Sequence, residues 1–136
     1  MNYFLAKTEP DTYSIDQLRQ DFRTSWDGVK NPQALRAIAQ MKTGDRVFIY
    51  HSGGLSEVVG LAKVTQESRP DPKNPKSLVV DLEYVCHLAP PTKLSEIKQS
   101  KLFEDWSLVR QSRLSTMAAP EKFVKWMRDR YPDTKI

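Results

Sequence analysis

The 136 residues include one cysteine, Cys86. A single thiol forms no internal disulfide, and no cluster of Cys and His has zinc spacing. A reducing compartment, the cytoplasm, is the expected location. No apolar run approaches the ~20 residues that span a bilayer, so no membrane partner is expected. "MNYFLAKTEP" at the start lacks the basic segment and long apolar stretch of a signal peptide. There is no Gly-x-Ser-x-Gly elbow. "SGGLSEVVG" lacks the lysine and the spacing of a phosphate-cradling loop. Carboxylates are scattered, with no pair marked as general acid and base. Cys86 and His87 are neighbours, and neighbours on a strand point to opposite faces, so they form no nucleophile–base pair. These absences leave catalysis the weaker reading. No catalytic residue, metal or cofactor is expected.

The chain is long enough for one domain, 1–136, and too short for two. At this length about 65–70% of the unfolded surface is buried on folding, so neither disulfide nor metal is needed for stability. The net charge is +4. Residues 1–92 balance, with 11 basic and 11 acidic side chains. Residues 93–136 carry 10 basic against 6 acidic, so the excess lies there and is compatible with a polyanionic partner.

Hydrophobic periodicity divides the chain into short elements. "NYFLAK" (2–7) reads as a first strand. Ser14 begins a helix with Gln17 three residues on, a capping-box pattern, and Ile15, Leu18 and Phe22 give it one apolar stripe. Asn31-Pro32 reads as a second helix start, with Leu35, Ile38, Ala39 and Met41 on its buried side and Gly44 beyond its end. "RVFIYHS" (46–52) and "EVVGLAKV" (57–64) read as neighbouring strands. "RPDPKNPKS" (69–77), with three prolines, reads as an irregular loop. In "SLVVDLEYVCHL" (77–88), Val80, Leu82, Tyr84, Cys86 and Leu88 share one face while Asp81, Glu83 and His87 share the other. "PPTKLSEIKQSKLFEDW" reads as a loop and short helical turns, and "LVRQSRLS" (108–115) as a last extended segment. A final helix follows Pro120, with Phe123, Val124, Met127 and Tyr131 as its stripe. Several uneven antiparallel strands with flanking helices hide their edges most simply by curling into a small barrel. The expected class is α+β, a small closed barrel with peripheral helices.

Between these elements lie polar islands, two of them with an aromatic: "KTEP" (7–10), "WDGVKN" (26–31), "YHS" (50–52) and "RQSRLS" (110–115). A planar ligand calls for an aromatic face and a few edge contacts. Singly, each island has an ordinary explanation: Lys7 and Glu9 as a surface ion pair, Trp26 as core filler, His51 as a satisfied histidine, Arg110 and Arg113 as solvated charges.

Together and in this order, with "MKTGDRVFIYHS" and "VVGLAKV" between them, the islands resemble the EVE-domain family, of the thymocyte nuclear protein type. The resemblance covers residues 2–126. It implies a PUA-like fold, a small closed barrel of five to six mostly antiparallel strands related to ASCH and YTH domains. It also implies binding of nucleic acid, RNA or DNA, with a modified base flipped into a pocket. Carried over position by position, that pocket involves Lys7, Thr8 and Glu9, then Trp26, Asp27 and Asn31, then Tyr50, His51 and Ser52, and finally Arg113, Leu114 and Ser115. Departures from the pattern are Phe4 for tryptophan, Lys30 for arginine, Pro32 for tyrosine, Leu35 for arginine and Arg69 for tyrosine. Two other functions fit the residues. One is an RNA- or nucleotide-processing enzyme built on Lys7, Glu9 and His51. The other is a protein-binding adaptor whose pocket is vestigial.

Overall fold

Two side-chain caps start the first helices of the computed structural model, which describes residues 1–136. The elements in chain order are β1 (Tyr3–Thr8), α1 (Ile15–Asp21), β2 (Arg23–Trp26), α2 (Pro32–Ala39), β3 (Arg46–His51), β4 (Glu57–Asp71), β5 (Asn74–Lys93), α3 (Leu94–Gln99), α4 (Ser107–Arg110), β6 (Thr116–Ala118) and α5 (Glu121–Arg130). Ser14 Oγ accepts the Gln17 N–H at 3.0 Å. The Gln17 side chain donates to Asp21 at 2.9 Å instead of turning back to the cap, so only half of the expected box forms. Asn31 Oδ1 accepts from Gln33 N and Ala34 N at 2.8 and 3.1 Å, with Pro32 in the first turn, where it forfeits no helical bond. The apolar stripes are narrower than their spacing implies. Phe22 lies past the end of α1 with φ 66° and is exposed, and on α2 Leu35 is half-buried and Ala39 exposed.

The sheet is mixed and six-stranded, in the order β2-β5-β4-β3-β1-β6. β1 runs parallel to β3, and the other four pairings are antiparallel. It is not closed. The expected barrel fails because β2 and β6 stand at opposite ends of the order and do not pair. Both edges are short, four and three residues. α2 packs against β6 and also against β5 and β4. A short edge covered by a helix escapes strand-to-strand aggregation without closure.

The proline-rich stretch is not a loop. β4 and β5 form one long hairpin that turns at Pro72-Lys73, where Asp71 Oδ1 accepts the Lys73 N–H at 2.8 Å. Pro70 and Pro75 lie where the ribbon is two-stranded, since β3 pairs only up to Lys63 and β2 only between Val80 and Glu83. A proline facing no third strand forfeits no ladder bond. β5 also continues through 89–93, and the segment read as extended at 108–115 begins as the helical turn α4.

The core spans both faces of the sheet. On one, Phe123 of α5 packs against Phe48, Phe103 and Trp106. On the other, α1 seats Ile15 directly on Gly60: a β-carbon there would lie 2.4 Å from Ile15 Cδ1. Glu83, assigned to the polar face, is buried yet paired, with Arg23 at 2.7 Å and Lys63 at 2.9 Å. Lys63 and then Arg23 hold its carboxyl below the usual carboxylate range.

Candidate nucleic-acid interface

The C-terminal end of β1 opens into a cavity of about 460 Å³. Lys7 and Thr8 end the strand on one side, and Thr12 and Tyr13 follow on the way to α1. Opposite them stand Thr24, Ser25 and Trp26 of β2 and the loop from Asp27 to Lys30. Ser115, just ahead of β6, completes the wall. The pairing of β1 with β6 places it there, because the Lys7 N–H donates to the Ser115 carbonyl at 2.8 Å. The Asp27-Gly28 turn is present, with Gly28 at φ +77°, a conformation that costs glycine nothing.

Trp26 is 8% exposed and meets the edge of Tyr13 at 6.1 Å and 87°. The Tyr13 hydroxyl donates to Asp21 Oδ2 at 2.8 Å, which fixes its ring, and burial pushes its pKa up. Thr8 Oγ1 donates to the Tyr13 carbonyl at 2.8 Å. Lys7 Nζ donates to the Ser112 carbonyl at 3.0 Å and lies 5.4 Å from the centre of the Tyr50 ring. Burial lowers the pKa of that amine. The cavity therefore combines aromatic walls, hydroxyls, one carboxylate (Asp27) and two amines (Lys7 and Lys30).

The EVE-domain model matches residues 2–130. The chain belongs to the EVE-domain family. Thymocyte nuclear protein 1 of Rattus norvegicus is 32% identical to this EVE domain over 125 residues, covering 71% of the chain and 55% of the relative. The chain thus spans about half the length of the curated relatives it matches. Among solved structures, Rpa0253 of Rhodopseudomonas palustris superposes with a TM-score of 0.91 at 31% identity, covering 100% of this chain and 97% of its own. The human THYN1 protein, solved in complex with DNA containing 5-methylcytosine, superposes with a TM-score of 0.86 at 24% identity, over 95% and 96% of the two chains. The MmI1 YTH domain shares the fold more distantly, with a TM-score of 0.59 at 15% identity over 98% of each chain.

Of the residues expected in the pocket, this EVE domain brings Lys7, Thr8, Trp26, Asp27 and Ser115 to one cavity. The others serve nearby backbone or lie elsewhere. His51 Nε2 accepts the Ile15 N–H at 3.1 Å, so it caps the start of α1 rather than facing the cavity. Burial lowers its pKa and favours the neutral ring that this bond requires. Asn31 spends its side-chain oxygen on the α2 amides. The Glu9 carbonyl receives the amides of Thr12 and Tyr13, and its side chain lies against Gly53. Ser52 holds the Thr8 carbonyl through its own N–H at 3.0 Å. Tyr50 is buried behind Lys7. Leu114 is buried toward a different depression, and Arg113 is exposed outside the cavity. Of Lys7, Glu9 and His51, only Lys7 lines the cavity.

Sequence reasoning missed Thr12, Tyr13, Thr24 and Ser25 as walls, and within the island at 26–31 it did not single out Gly28, Val29 and Lys30. Alternation gave one signal: in β2, Thr24 and Trp26 are two apart and share a face. Most departures from the family pattern lie away from the cavity. Phe4 is buried in the core, Pro32 is exposed on α2, and Leu35 packs against the core cluster. Arg69 pairs with Asp81 at 3.0 Å. Only Lys30 lines it.

Proposed function

We propose that this EVE domain is a nucleic-acid-binding module that seats one base in the Trp26 cavity, with a cytosine carrying a 5-methyl group as the leading ligand. The observation that carries the reading is the cavity itself, which sets two aromatic rings, several hydroxyls and a half-buried amine around a space of about 460 Å³. That volume falls in the range of small-ligand pockets. The human THYN1 complex with 5-methylcytosine DNA supports the choice of ligand.

Base–aromatic stacking contributes about 1–3 kcal/mol. Extracting a base from a duplex costs a few kcal/mol, so stacking only offsets it. Phosphate contacts to lysine and arginine supply the surplus. Lys7 and Lys30 stand at the cavity for this. One buried methyl adds about 0.8 kcal/mol, close to a fourfold preference. The Asp27 carboxylate is an acceptor only, which suits the exocyclic amine of cytosine or adenine and disfavours a carbonyl in its place. We propose no turnover. Product analysis after incubation with RNA and nucleosides, with Lys7→Ala as control, tests that point.

The binding test is a fluorescence-anisotropy titration with single-stranded DNA carrying one 5-methylcytosine, its unmodified twin and the matching RNA. Tighter binding to a modified strand is the expected result. An equally weak response to all three strands would sink the reading.

A further inference from the structure

A second depression, of about 270 Å³, lies on the far side of residues 114–116. Ser115 lines the Trp26 cavity, whereas Leu114 and Thr116 line this groove. Successive side chains of an extended chain point to opposite sides, so one segment serves as the wall between the two. The start of α2 is the second shared boundary, with Lys30 on the cavity and Gln33 on the groove. A polymer leaving the cavity across Ser115 and Lys30 enters the groove.

The chemistry of the groove suits a nucleotide. Arg36, Gln33 and Gln40 stand exposed along its α2 side. The Arg36 guanidinium has no carboxylate partner, as is also true of Arg19, Arg46 and Arg113, and is free to meet a phosphate. No acidic residue lines the groove, so a polyanion meets no local repulsion. Leu114 and Met117, both buried, provide an apolar floor. Thr116 is 1% exposed, and its hydroxyl has no hydrogen-bond partner in the chain. The guanidinium, amides and apolar floor match a phosphate, a base edge and a ring face in turn.

We propose that this groove is a second subsite, which holds the nucleotide adjoining the one whose base occupies the Trp26 cavity, with Arg36 on the phosphate between them. The proposal rests on the base-binding reading above. The experiment separates the two. Two probes are titrated, free 5-methyl-2′-deoxycytidine and a single-stranded DNA pentanucleotide with a central 5-methylcytosine, against wild type, Arg36→Gln, Trp26→Ala and Lys125→Gln. Lys125 is an exposed cation on α5 and controls for net charge. Wild type should bind the pentanucleotide more tightly than the nucleoside. Arg36→Gln should lose several-fold in pentanucleotide affinity and leave nucleoside affinity unchanged. Its slope of log affinity against log salt should be shallower by about 0.7, the value for one single-strand phosphate contact. Trp26→Ala should weaken both probes. Pentanucleotide binding by Arg36→Gln at wild-type affinity and slope overturns the subsite while leaving the base cavity standing. An equal loss in Lys125→Gln also overturns it, because the effect is then diffuse charge. If wild type binds neither probe, both readings fall.

Discussion

Trp26 and Trp106 are buried to the same depth in the core, 8% and 7% exposed, but only Trp26 also lines a cavity. Trp106 is held on all sides. Phe123 lies 4.5 Å and Phe103 6.1 Å from its ring, and its indole N–H donates to the Ala118 carbonyl at 2.9 Å. Trp26 belongs to the same core cluster but has one aromatic neighbour, Tyr13, and the part of it left open borders a cavity rimmed with hydroxyls and amines. Depth of burial therefore does not separate a core filler from a binding wall. What the ring meets beyond itself does.

Mutation tests this contrast most strongly at Trp106. Trp106→Ala should cost about 3–5 kcal/mol in urea unfolding, as large-to-small core changes do, and leave oligonucleotide affinity of the folded protein intact. Trp26→Ala should cost less stability than Trp106→Ala in the same assay, because part of its ring borders the cavity instead of packed side chains. An equal or greater loss would place Trp26 with Trp106 and break the contrast. Lys7→Met keeps the stem over Tyr50 and removes the charge, so the urea midpoint should barely move. Affinity measured by anisotropy should fall by about 1.5–3 kcal/mol, the range for hydrogen bonds to charged groups; an unchanged affinity would take Lys7 out of the interface.

The smallest effect sharpens the contrast from the other side, at a residue that supports the cavity without lining it. Burial depresses the pKa of His51 below its ordinary 6.5. As pH falls below 6.5, the unfolded chain takes up a proton that the folded chain does not, so stability declines until the folded pKa is passed. The slope from this group is at most about 1.4 kcal/mol per pH unit. His51→Gln, which does not titrate, should flatten the change in urea midpoint between pH 7 and pH 5. A mutant with the wild-type pH dependence would show that His51 titrates alike in both states.

Much of the fold was legible because its signals are local. Ser14 and Asn31 cap the helices their chemistry announces, and the β-branched runs at 46–51 and 57–64 are strands. Barrel closure was not legible, because it is decided by β2 and β6, whose four and three residues are too few to show a period. β2 is also masked by the turn chemistry around Trp26. The three prolines misled for a related reason, since their cost depends on whether a third strand lies alongside, which composition does not reveal. Within the site, the motifs located Lys7, Trp26 and Ser115. They did not reveal that His51 and Asn31 satisfy backbone amides of α1 and α2. A polar side chain at an element's end has the same appearance in sequence whether it serves a ligand or a helix terminus. Tyr13 was unreadable for the complementary reason: it enters the cavity only through the path taken by the 9–14 connection.

The central claim is that a base stacks within the Trp26 cavity. Its most direct test is the affinity of folded Trp26→Ala for single-stranded DNA carrying one 5-methylcytosine, titrated beside wild type under conditions where urea curves show both proteins native. The account predicts a loss of about 1–3 kcal/mol, roughly five- to 150-fold. A natively folded Trp26→Ala that binds this strand as tightly as wild type would contradict it.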